Sequence, residues 1–169
     1  MTHAARHQLT IKGAIAERIK AEAKRLGITP EVYLADMLAQ GKDPQVRAEL
    51  YIEASTTLLE QAEAELEKGD IRQAAEKLWG AAALAVKAYA AQREGVRLTS
   101  HGELWSYTRR LKEDLGPWVY DSWNAATAMH TCFYEGWCTK DHVAEALEKV
   151  KKLVVTVREK IRGSQVKHG

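Results

Sequence analysis

The chain reads as an all-helical protein: an antiparallel helical bundle preceded by a small helical hairpin. Three observations predict this. Alanine, leucine, glutamate and lysine abound beside three prolines and a single phenylalanine, a balance that favours helix over sheet. Apolar residues recur at spacings of three and four through most of the length. Between those runs stand the glycines, prolines and short polar residues that start and stop helices.

The elements follow in order. Gln8-Leu-Thr-Ile-Lys12 is the one segment that alternates with a strand period. Gly13 to Leu26 is amphipathic, with Ile15, Ile19, Ala23 and Leu26 on one side, and Gly27 ends it. Thr29 caps a second helix with Pro30 at its first position, and Gly41 closes it. Asp43-Pro44 opens a third, running to about Lys68 along the stripe Leu50, Ala54, Leu58, Ala62 and Leu66. Gly69 stops it, and Asp70 to Gln73 has capping-box spacing for a fourth helix, Ile71 to about Arg93. Ala81 to Val86 makes that helix apolar all round, so it is expected at the centre of the bundle. The two-residue link makes the third and fourth helices antiparallel. Ser100 to Glu103 repeats the capping-box spacing before a helix from His101 to about Leu115. Gly116-Pro117 separates it from a sixth, Trp118 to about Trp137. Thr139 caps the last, Asp141 to about Arg162. Residues 1–42 are thus expected to form the hairpin extension, 43–162 the bundle and 163–169 a polar tail.

Composition narrows the class. A chain of 169 residues, 46% hydrophobic and 28% charged, is long enough for one buried core and far from the disordered regime. A net charge of +2 does not by itself mark a nucleic-acid binder. The basic run from Lys149 to Lys167 suits a solvated helix C-terminus, where cations complement the dipole. No apolar run approaches the roughly 20 residues that span a bilayer, and the stretch from Met1 to His7 lacks the apolar core of a secretory signal. A cytoplasmic protein with no membrane contact is expected. Cys132 and Cys138, six positions apart, would lie on different faces of a helix running through both, which predicts free structural thiols. No zinc spacing, glycine-rich phosphate loop or serine elbow is present, so neither metal nor cofactor is expected.

Chemistry concentrates in the sixth helix. Trp123, Thr127, His130, Tyr134 and Trp137 share one face, and Tyr120 extends it backwards. An imidazole, a phenol and two indoles can stack on a base and hydrogen-bond its edge; the same stripe also suits an aromatic core face or a subunit interface. His101 follows a loop holding Arg93 and Arg97, a combination that can hold an anion at a helix N-terminus, although the capping box accounts for His101 structurally. Lys77 and Lys87, about 80° apart around the fourth helix, are expected in solvent or at an interface.

Three blocks carry a family resemblance: Gly69-Asp-Ile-Arg-Gln-Ala-Ala-Glu-Lys-Leu-Trp79-Gly-Ala-Ala-Ala-Leu-Ala-Val-Lys87-Ala, then Ser100-His-Gly-Glu-Leu-Trp105, then Ala128-Met-His-Thr-Cys-Phe-Tyr-Glu-Gly-Trp137. In this order they resemble the archaeal PaREP family, over about Asp43 to Arg162. The resemblance implies a HEPN-like bundle (higher eukaryotes and prokaryotes nucleotide-binding), often self-associating. Ribonucleases of that type place an arginine before a histidine with four to six residues between them. At that spacing before His130 stands Asn124, which donates a hydrogen bond but does not neutralise a phosphate; Arg97 and Arg93 are separated from His101 by three and seven intervening residues, so neither fits. The expectation is a non-catalytic, HEPN-like bundle, a homodimer or higher homo-oligomer. It would bind a nucleotide, RNA or a protein partner through Arg93, Arg97, His101, Trp123, Asn124, His130 and Tyr134. A divergent ribonuclease using His101 or His130, and an assembly protein without a ligand, are the alternatives.

Overall fold

Glycines and capping side chains set the helix boundaries nearly where the sequence places them. The structure, a computed structural model, describes residues 7–168. Residues 1–6 and 169 lie outside it, and with them most of the stretch read for a secretory signal and the end of the expected tail. The described residues form seven α-helices and no strand. They are α1 Ala14–Leu26, α2 Pro30–Ala39, α3 Pro44–Lys68, α4 Ile71–Glu94, α5 His101–Leu115, α6 Trp118–Glu135 and α7 Lys140–His168. Thr29 Oγ1 accepts from the Val32 N–H, Asp70 from that of Gln73, and Ser100 from that of Glu103. The Glu103 carboxylate in turn accepts from the Ser100 N–H, completing a reciprocal cap. Asp43 makes no side-chain cap, so α3 starts on Pro44 alone, whose fixed φ suits a first helical position. Residues 8–12 form no strand, since alternation without a pairing partner leaves the ladder unmade.

The alanine-rich α4 is the axis of the bundle, buried from Ala74 to Ala91 except at Glu76 and Lys77. It packs chiefly on α3, α6 and α7, and also meets α5 and α2. Small side chains let the neighbouring backbones come close. Ser55 Oγ donates to the Ala81 carbonyl at 2.6 Å, and a Cβ on Gly80 would lie 2.9 Å from Leu58 Cδ1. These paired contacts run in opposite chain directions, so α3 and α4 are antiparallel.

The hairpin of α1 and α2 docks on its own bundle. Asp36, from α2, accepts hydrogen bonds from Tyr51 on α3 at 2.7 Å and from Arg97 at 2.8 and 3.2 Å. Its carboxylate also lies 3.6 Å from the ammonium of Lys87. Lys87 is therefore not solvated or interfacial as the sequence suggested. Its side chain is wholly buried, bonded to the Leu98 carbonyl and over the ring of Tyr51, because Asp36 supplies a counter-charge from 51 positions earlier in the chain.

Two further expectations are corrected. The sixth helix stops at Glu135, because Gly136 adopts a left-handed conformation at φ 71° and caps it. The chain then turns back, which brings Cys132 and Cys138 to a Cα separation of 5.7 Å, joined as a disulfide rather than free. At the other end α7 continues past Arg162 to His168, through most of what composition presented as a tail. Among the described residues no helix is long and apolar enough to cross a membrane.

Candidate functional site

Three helices converge on a stack of rings. Trp79, at the buried centre of α4, packs against two histidines that also face each other at 5.8 Å: His130 of α6 at 4.4 Å between ring centroids and 26° between planes, and His101 of α5 at 5.9 Å and 16°. The array extends on both sides. His101 meets Trp105, and Trp105 stands edge-on to Trp123 at 5.9 Å. His130 meets Tyr134 edge-on at 5.3 Å. Trp79 and Trp123 are fully buried, the histidines half-buried, and Trp105 and Tyr134 exposed. The array thus runs from the core to the surface along two edges.

Local sequence explains each placement. The capping box fixes His101 as the first residue of α5. Trp105, one turn later, donates from Nε1 to His101 Nε2 at 2.9 Å. This bond assigns the proton of a neutral His101 to Nδ1. The α1–α2 corner presses on the same histidine: Gly27 has φ 73°, and a Cβ there would lie 2.9 Å from that of His101. On α6, Trp123, Thr127, His130 and Tyr134 share a face as predicted. Arg72, at the start of α4, holds the end of that helix by donating to the Phe133 carbonyl at 2.6 and 2.9 Å.

The array is rich in polar atoms without partners among the described residues. Trp79 Nε1, Trp123 Nε1, Thr127 Oγ1 and His130 Nδ1 are buried and make no hydrogen bond. His101 Nδ1 faces the Gly27 carbonyl but falls short of a full hydrogen bond. Most buried polar atoms find a partner, so such a cluster in one array is unusual. The indole N–H groups are donors only, and the assigned His101 tautomer adds a third. The array therefore holds unpaired donors in its interior, while the ring faces that reach the surface are those of Trp105 and Tyr134.

Its electrostatics keep it uncharged at neutral pH. Burial, with the nearby His101, pushes His130 down to about 4. Burial also lowers His101, opposed by the Gly27 carbonyl. Tyr134 is raised by burial and by Glu76, itself raised by burial and the neighbouring Glu31. No group of three or more metal-ligating residues exists among the described residues.

The structure brings His101, Trp123, His130 and Tyr134 together but leaves the arginines elsewhere. Arg97 is held by Asp36, and Arg93 lies 3.7 Å from the Asp114 carboxylate. Asn124 is exposed, about 100° round α6 from Trp123. Trp137 leaves the stripe, since α6 ends before it, and packs instead on His142. Tyr120 takes Lys112 over its ring. Sequence reasoning did not place Trp79 in the site; its one signal was a large aromatic amid alanines on the most buried helix.

Fold and array define a class: an all-helical bundle, built on an alanine-rich axis, whose polar chemistry gathers where α4, α5 and α6 meet. Residues 50–154 match the sequence model of the Archaeal PaREP1/PaREP8 family, and the chain belongs to that family. It is also similar to a crystallographically determined protein from Sulfolobus solfataricus. The two share 26% identity and a TM-score of 0.58, over 63% of this chain and 94% of that one. No curated protein matches. The matched region begins after α1 and α2, so the docked hairpin lies outside it.

Proposed function

We propose that this chain is a non-catalytic, HEPN-like bundle that self-associates and binds a nucleotide, or an unpaired RNA base, at the ring array. The observation that carries the reading is the cluster of partnerless polar atoms on stacked rings. Faces stack on any base, while donor edges read carbonyl and ring-nitrogen acceptors. Arg97 and Arg93 face carboxylates, so recognition falls on the base more than on the phosphate, and salt should weaken it only mildly. The absence of a cation before His130 argues against the ribonuclease alternative, because transition-state charge on phosphate would lack a partner.

A titration with mixed nucleotides and short single-stranded RNA, followed by intrinsic tryptophan fluorescence, tests this. Stacking on an aromatic ring contributes about 1–3 kcal/mol per base, so His130→Ala should weaken binding roughly 5- to 150-fold. A flat response from folded protein, or unchanged affinity in His130→Ala, would refute the reading. One observation favours a second: Trp105, Tyr134 and Trp137 expose large apolar surfaces, as an assembly protein without a ligand would. In that case the tryptophan signal follows protein concentration and ignores nucleotides.

A further inference from the structure

The first described residues and the groove between α2 and α3 are complementary, and no described residue occupies the groove. Residues 8–12 belong to no helix or strand, are exposed and make no hydrogen bond among the described residues, and Leu9 is 85% exposed. The groove, about 440 Å³, is walled by Leu34 and Leu38 on one side and Leu50 and Ala54 on the other, with Glu31 and Glu53 on its rim. Leu38 stands 65% exposed on its edge.

We propose that this groove receives residues 8–12 of a second copy, in a reciprocal exchange that forms a two-fold dimer. The proposal rests on the self-association proposed above and names its surface. Spacing supports it. In an extended chain Leu9 and Ile11 point the same way, about 6.7 Å apart. Leu34 and Leu38 are one helical turn apart, about 6 Å, as are Leu50 and Ala54. Two apolar side chains thus meet two successive gaps between paired walls.

Charge sets the direction. Because α2 and α3 are joined by a short turn and run antiparallel, Leu38 lies toward Leu50, and Glu31 toward the far end beyond Ala54. Leu9 at the Leu38 end and Ile11 at the Leu34 end bring Lys12 to Glu31 and Glu53. Glu31 already meets Lys77 at 3.2 Å, whereas Glu53 has no ion pair among the described residues. The occupant is a second copy because the chain's own segment stands clear of the groove. One segment and one groove per copy close a symmetric pair with nothing left over. Two five-residue segments bury less than a standard interface, so the dimer should dissociate on dilution.

Sedimentation equilibrium of the full chain over a dilution series tests this, with circular dichroism confirming that each variant is folded. Leu9→Asp with Ile11→Asp should weaken dimerisation at least tenfold. Lys12→Glu should weaken it several-fold, and adding Glu53→Lys to the same chain should restore it. A dimer indifferent to Leu9→Asp with Ile11→Asp overturns this surface while leaving self-association intact. A chain monomeric at every concentration overturns both. Protection of residues 8–12 from hydrogen exchange in a monomer would show the segment in its own groove, and would also overturn the exchange.

Discussion

Replacing Asp36 by asparagine should loosen the hairpin from the bundle far more than a surface change would. The Asp36 side chain is 7% exposed and joins Tyr51, Arg97 and Lys87. Burial alone raises its pKa, but hydrogen bonds from Arg97, the charge of Lys87 and the Tyr51 hydroxyl together hold it below the ordinary carboxylate value. Asparagine keeps an acceptor for Tyr51 and leaves both cations without a counter-charge. Arg97 is about a third exposed, so water screens much of its share. Lys87 has no such route, its side chain being 0% exposed. Removing one partner of a buried pair costs about 3–5 kcal/mol, and the lower end applies because the Leu98 carbonyl still receives Lys87. At roughly 2–4 °C per kcal/mol for a chain of this size, the melting temperature should fall by roughly 6–12 °C.

Thermal and urea unfolding followed by far-ultraviolet circular dichroism measures the loss, and a second substitution isolates its cause. Lys87→Met in the Asp36→Asn background removes the stranded charge while keeping an unbranched chain, so it should recover at least half of the stability. The pH dependence has a definite sign. A depressed carboxylate stabilises the fold above its unfolded pKa, and that contribution disappears as pH falls through the folded value. Wild type should therefore show an acid loss below the ordinary carboxylate range that Asp36→Asn lacks. A penalty under about 1 kcal/mol, well below that of a broken buried pair, would refute the argument, as would a double variant no more stable than the single.

Three other outcomes follow from the array and its border. His130 is lowered to about 4, so the folded state resists a proton that the unfolded state accepts. Stability should rise with pH between about 4 and 6.5, by up to roughly 3 kcal/mol, and His130→Gln should flatten that slope in urea titrations. Alkylation of the denatured protein should label neither Cys132 nor Cys138 until a reductant is added, because the two are joined. Cys138→Ser should cost about 2 kcal/mol by equilibrium unfolding, near the low end for disulfides because the closed loop is short.

The helix boundaries were legible because local chemistry sets them: Gly27, Gly69 and Gly95 end helices in left-handed conformations, and Ser100 and Glu103 build a cap from four consecutive residues. The ring stripe of α6 was legible for the same reason, since helical periodicity places Trp123, Thr127, His130 and Tyr134 together. What escaped depends on partners distant in sequence. Nothing near Lys87 announces Asp36, so a lysine among alanines read as a solvated side chain. Arg97 read as an anion ligand because its carboxylate comes from α2. The cysteine pair and the departure of Trp137 share one cause, the turn at Gly136, which a helix drawn two residues too long conceals.

The segment between α4 and α5 links the hairpin to the candidate site. Arg97 on that segment grips Asp36 of α2, and four residues later His101 meets Gly27 on one side and the ring of Trp79 on the other. The corner continues into the core beyond it: Ile28 and Thr29 are buried, and Thr29 and Val32 approach Gly80, next to Trp79. The orientation of His101 is thus shared between an element inside the family match and one outside it. His130, Trp79 and Trp123 need only α4 and α6, which lie within the matched region. The array accordingly has an inner part that the shared bundle supplies and an outer histidine whose position depends on the docked hairpin. Disturbing Asp36 should therefore move the environment of His101 and Trp105 while leaving the contact of His130 with Trp79 in place.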